Sequence, residues 1–203
     1  MVDPAKEAPM QDHVDRALES DAPLTTAVHQ RDVAHEAAEA RGWDEAAVSG
    51  RTVTINRPRE ELYAFWRDFR NLPRFMENIE AVTVSDDRRS HWVVKAPGGA
   101  TVEWDAIITQ DEPGRLLAWE SDENADIKNS GLIEFRDAPP GRGSEVSATL
   151  VYDPPGGDIG KLIAKLFQRE PKVQSRHDLR RFKQLMETGE ISTSEAPDAA
   201  PRA

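Results

Sequence analysis

RSHWVVKAPGGATVEWDAIITQDEPGRLLAWES, residues 89–121, decides the fold. Three runs that alternate apolar and polar residues, 89–96, 101–110 and 115–121, are separated by Pro97-Gly98-Gly99 and by Pro113-Gly114. A period of two marks a half-buried strand, and Pro-Gly sequences reverse the chain tightly. Trp92 and Val94 fall on one side of the first run, with His91 and Lys95 on the other. In the second run Val102, Trp104, Ala106 and Ile108 oppose Glu103, Asp105 and Thr109. One face is apolar and the other wet, and the short local connections imply an antiparallel meander.

Working outward, the same alternation predicts strands over 79–85, 130–138 and 144–153, bounded by Asp86-Asp87, the polar stretch 122–129 and Pro139-Pro140-Gly141 with Gly143. Leu117 and Trp119, then Ile133 and Phe135, then Val146, Ala148, Leu150 and Tyr152 continue the apolar face. Upstream, RTVTIN (51–56) reads as a strand, and Pro58 followed by REELYAFWRDF as a helix with Leu62, Phe65, Trp66 and Phe69 on one side. Asn71-Leu72-Pro73 breaks that helix, and RFMENIE (74–80) is expected to form a second short helical turn. Downstream, after Pro154-Pro155-Gly156-Gly157, apolar residues recur at three and four from Ile159 through Leu166 to Met186. This predicts one long helix over 158–187, kinked at Pro171, ended by Gly189 and laid across the apolar face.

The order is therefore α+β: a strand, two short helices, six antiparallel strands and a long helix. With INRPREELYAFWRDFRNLPRFMENIEAV, SHWVVKAPGG, VEWDAIIT, LLAWES, YDPPGG and DLRRFKQLMETGEI, the chain resembles the START-like (SRPBCC) superfamily. Within it the resemblance is to the bacterial polyketide cyclase/dehydrase (coenzyme Q-binding-protein-like) branch, over roughly 51–191. It implies a helix-grip fold, a curved seven-stranded antiparallel sheet around the long C-terminal helix.

Composition bounds the rest. The chain has 203 residues, a net charge of −11 and no cysteine. These exclude thiolate catalysis, disulfides and Cys-based metal sites, and they disfavour phosphate-backbone binding to nucleic acid. Residues 1–50 hold 11 acids against four bases and a single aromatic, Trp43, so they are expected to be a mostly disordered acidic arm, with a helix possible over 29–41. Residues 192–203 read as a loose tail, which leaves 51–191 as the folded domain. The chain nowhere holds 18 consecutive apolar residues, and Met1–Met10 is not a leader, so a cytoplasmic protein without an integral membrane segment is expected.

Motifs with possible chemistry are weak. PPGGDIGK (154–161) lacks the first glycine and the Ser/Thr of a phosphate loop and reads as a strand-to-helix turn. The histidines at 13, 29, 35, 91 and 177 have no metal-ligand spacing, so neither a metal nor an organic cofactor is expected. Glu103 and Asp105 share the wet face, where cross-strand charge pairing, with Lys95 among the partners, is favoured over acid/base work. Lys172, Arg176, Arg180 and Lys183 form a basic stripe that reads as a solvated helix face, with transient contact to a membrane surface or to the acidic arm as the other reading.

The aromatics are the strongest signal. Trp66, Phe69, Phe75, Trp92, Trp104, Trp119, Phe135 and Tyr152 are expected on the concave side, with small Ala106 and Ala148 leaving room and Leu166 facing them from the helix. A curved sheet gripping a helix leaves a gap, and families resembling this one use it for apolar ligands. The favoured expectation is a module binding a lipid, isoprenoid or polyketide-like molecule. The alternative is a cyclase or dehydratase using the same cavity, which needs an inward acid or base; Tyr152 and Glu120 are the remaining candidates.

Overall fold

In the computed structural model the described residues are 47–96, 99–125, 127–153 and 171–192. They form one seven-stranded antiparallel sheet in the order β1-β7-β6-β5-β4-β3-β2. The strands are β1 (Ala47–Ile55), β2 (Ile79–Val84), β3 (Arg89–Lys95), β4 (Thr101–Glu112), β5 (Leu116–Ser121), β6 (Lys128–Asp137) and β7 (Ser144–Asp153). The strands after β1 fall within two residues of the predicted runs. β1 begins at Ala47 rather than Arg51, because Ala47 through Gly50 pair with Tyr152 through Thr149. Four residues assigned to the arm therefore belong to the sheet.

Turn chemistry closes the meander as expected. At Pro113-Gly114 the Arg115 amide donates to Glu112 O at 2.9 Å, and Gly114 takes φ +69° as the third residue of a tight turn requires. Gly143, at φ +81°, has no space for a side chain: a Cβ there would meet Ile55 O at 2.2 Å. Register shifts at Ile79/Ala81 and Ile108/Gln110 are bulges, which bend strands and help to curl the sheet.

Two helices and a 3-10 segment cover one face. Helix α1 (Arg59–Arg67) starts after Pro58 and buries Leu62, Tyr63 and Trp66, whereas Phe65 is only partly buried. The 3-10 helix Phe69–Arg74 contains the Asn71-Leu72-Pro73 sequence expected to break α1, which already ends at Arg67, and no helix follows over 75–80. Asp68 caps it by accepting from the Arg70 amide at 3.2 Å, and a short 3-10 turn tolerates a proline that an α-helix interior would not.

Helix α2 is described over Pro171–Thr188; the expected stretch 158–170, and with it the test of a kink at Pro171, lies outside the described residues. It packs on β1 and buries Leu179, Phe182 and Leu185. Its last turn is tied to the β1–α1 junction: Arg57 donates to Met186 O at 2.8 Å and to Glu187 O at 3.0 Å. The Asn56 amide donates to Glu187 Oε1 at 2.7 Å, and Lys183 donates to Thr54 O at 2.7 Å. Lys183 is thus a tether rather than part of a solvated stripe. Gly189, at φ +83°, ends the helix with its amide on Leu185 O.

The outward face is not uniformly wet. Thr52, Ser147 and Thr149 are buried there, which small hydroxyls tolerate when bonded, and the Thr52 and Ser147 hydroxyls pair at 2.8 Å.

Candidate functional site

The concave face of β3, β4 and β5 carries Trp92, Trp104 and Trp119, all buried. Trp92 and Trp104 are direct cross-strand partners and stack with centroids 6.1 Å apart and planes 16° from parallel. Trp92 and Trp119 stack at 5.9 Å although a strand lies between them. Their rings therefore reach toward each other over β4, where Ala106 is the small residue between. Phe69, from the 3-10 helix, inserts its edge against both at 5.3 and 5.4 Å. Trp119 in turn lies over Gly131 of β6, where a Cβ would sit 2.1 Å from its Cζ2.

Other predicted site residues sit elsewhere. Trp66 and Phe75 join Phe182 of α2 in a second cluster, with Trp66–Phe182 edge-to-face at 4.9 Å and Trp66–Phe75 at 5.1 Å. That cluster locks α1 to α2. Phe135 lies under Tyr63, edge-to-face at 5.9 Å. Ala148 is buried on β7 beside Ile133. Tyr152 is in register with Ala47 and Asn129, its side chain outside the description, and Leu166 lies outside the described residues. Glu120 is on the opposite face of β5 from Trp119, so it does not supply an inward acid.

Polar groups around the sheet are organised differently from expectation. His91 rather than Lys95 pairs with the outward carboxylates: Nδ1 is 2.9 Å from Asp105 Oδ1 and Nε2 is 3.3 Å from Glu103 Oε2. Register is the reason, since His91 lies opposite Asp105 while Lys95 lies opposite Thr101. The hydrogen bond to Asp105 raises the His91 pKa above the ordinary histidine value against the opposing effect of burial, and Glu103 adds to it. At the other end of β4, Tyr63 donates to Asp111, which also accepts from Arg67 Nε at 2.6 Å. Burial and then the bond to Asp111 push the Tyr63 hydroxyl up to about 12, so it keeps its proton. The sequence signal for Tyr63 was its spacing, next to Leu62 and three before Trp66 on the buried helix stripe.

The indole N–H groups divide. Trp92 Nε1 donates to Ser90 Oγ at 2.9 Å, whereas Trp66 Nε1 and Trp104 Nε1 are buried with no hydrogen-bond partner among the described residues. On the same face Val102 of β4, beyond Trp104, and Leu150 of β7, opposite Gly131, pack against the core yet remain partly exposed.

Residues 55–180 match the family model described as polyketide cyclase / dehydrase and lipid transport. The chain belongs to that family. It is similar to a protein of Deinococcus radiodurans of known structure, 43% identical, with a TM-score of 0.58, covering 70% of this chain and 98% of that one. An aromatase/cyclase from Streptomyces sp. R1128 shares the fold at 14% identity and TM-score 0.55, over 73% of this chain and 100% of its own. An uncharacterized 17.2 kDa protein of Streptomyces lincolnensis is 25% identical over 67% of this chain and 87% of its own length. The helix-grip fold that the resemblance implies is thus shared with these solved structures. No described helix is long and apolar enough to cross a membrane.

Proposed function

We propose that this family member binds a small hydrophobic molecule, a lipid, isoprenoid or polyketide-like chain, against the concave face of the sheet. The observation that supports this is the continuation of the aromatic wall into partly exposed apolar residues: along β4 from Trp104 to Val102, and from Trp119 across Gly131 to Leu150 on β7. Apolar surface held partly open next to stacked rings is suited to accept hydrocarbon.

Titration with a homologous series of alkanes, read by tryptophan fluorescence, tests the reading. Binding is expected to saturate and to tighten up to about fourfold per added CH₂, the equivalent of about 0.8 kcal/mol, until the site is filled. Leu150→Trp, at a partly exposed position on that face, should abolish binding while the chain stays folded. Failure of every member to bind would sink the proposal.

The cyclase/dehydratase alternative keeps support from the family description. The Tyr63 hydroxyl holds its proton against Asp111 at the end of β4, which suits a hydrogen-bond donor and not a base. Turnover of a polyketide chain that is lost in Tyr152→Phe with binding intact would favour the enzyme.

A further inference from the structure

Trp104 carries a feature that the apolar wall does not need. Its Nε1–H is buried and unpartnered among the described residues, and the residue is 9% exposed. Buried donors are almost always bonded, so an orphan indole N–H points to an acceptor supplied from outside the described protein groups. Its neighbour Trp92 shows how the fold satisfies such a group when no ligand is meant to, by placing Ser90 two residues away on the same strand face. On β4 the equivalent position two residues before Trp104 is Val102, which offers no acceptor.

Trp66 also has an orphan N–H, but its surroundings are closed. It is 0% exposed and is enclosed by Phe75 and Phe182 within the helix cluster. Trp104 instead stands on the sheet next to Val102, at the end of the wall that remains partly uncovered. A molecule lying on that wall reaches Trp104 without dismantling the packing of α1 on α2.

We propose that Trp104 Nε1–H is the polar anchor of the ligand site and donates to a neutral oxygen, such as a ketone or ester carbonyl, on an otherwise apolar ligand. This rests on the ligand-binding reading above. Neutrality follows from the surroundings. The side chains flanking Trp104 in sequence are Glu103 and Asp105, whose negative charge on the opposite face opposes an anionic headgroup, and a carboxylate would have to be desolvated with one N–H as compensation. A carbonyl oxygen asks for one donor and brings no charge to bury.

The test uses the full chain with two probes of matched length, decane and 2-decanone, against wild type, Trp104→Phe and Trp92→Phe. Phenylalanine keeps an apolar ring and removes the N–H. Trp104→Phe is expected to weaken 2-decanone about tenfold, the scale of one buried hydrogen bond, while changing decane by less than about twofold. Trp92→Phe, whose N–H already serves Ser90, should not separate the two probes. In the wild-type chain, the Trp104 indole ¹H–¹⁵N resonance should move downfield with 2-decanone and not with decane; that readout carries the test if Trp104→Phe does not fold. If both probes bind wild type but the resonance is indifferent to the ketone, or Trp104→Phe weakens both equally, the anchor is overturned and the ligand-binding reading survives. If neither probe binds wild type, both fall together.

Discussion

Gly131 shows how a single missing side chain shapes the site. Trp119 occupies the space a Cβ would take, so Gly131→Ala has to displace the indole or the strand. The expected cost is about 1–3 kcal/mol in urea unfolding, with a changed near-ultraviolet signal from the tryptophan stack. An unaltered signal at unchanged stability would refute this account. Sequence reading placed Trp92, Trp104, Trp119 and Ala106 on one face because strand alternation carries that information directly. It gave no role to Gly131, because a glycine in a strand reads only as a weak point until the ring lying on it is seen. It also gave His91's place to Lys95, since alternation assigns faces but the pairing partner depends on hairpin register. His91 supplies a second residue-scale prediction. Its pKa is raised in the folded protein, so its contribution to stability is complete below the unfolded histidine pKa and is lost as pH rises through the folded value. The stability difference between wild type and His91→Gln should therefore shrink from pH 5 to pH 9; a difference that is flat with pH would count against the clamp.

At the scale of elements, the helices are held by few but well-placed polar ties. Arg57 puts its guanidinium on the last carbonyls of α2, where a helix has unpaired acceptors and a partial negative charge. Arg57→Ala should cost about 1–2 kcal/mol and should raise amide exchange in the last turn of α2 before it affects the sheet. Uniform exchange changes throughout the domain would contradict a local tie. Tyr63 and Asp111 do the same for α1 on β4, and Tyr63→Phe, which keeps the ring on Phe135, should cost about 1 kcal/mol in unfolding free energy. The apolar stripe of α1 was partly legible: Leu62 and Trp66 were assigned to it, while Phe65 was preferred to Tyr63 because the tyrosine's polar tip masks a buried position. The sequence groups Trp66 and Phe75 with the sheet aromatics as ligand-site residues, because composition shows aromatics but not which helix they clamp, and Phe182, their common partner, lies more than a hundred residues further along.

For the whole molecule, the decisive contact joins the two ends of the domain. Six strands follow one another as a meander and were legible from turns and alternation, but β1 pairs with β7, almost a hundred residues away, and α2 then packs on β1. Such closure leaves no local trace, which is why the start of β1 was placed four residues late. The consequence is a sharp asymmetry in what the chain can lose. Residues 1–28 are acidic and hold no aromatic side chain, so a chain beginning at residue 29 should melt within a few degrees of the full-length one. A chain beginning at residue 56 loses Val53 and Ile55 from the core, each worth about 1.5–3 kcal/mol of burial. It also loses Thr54 O, the acceptor for Lys183, and leaves Val146 and Ala148 on an unpaired strand edge. Those losses together approach the 5–15 kcal/mol that holds a domain folded, so this second truncation should show no cooperative melt. A cooperative transition near the wild-type temperature in the chain beginning at residue 56 would mean that β2 through β7 and α2 form a core without β1, and the closure of the sheet would not be what keeps α2 in place.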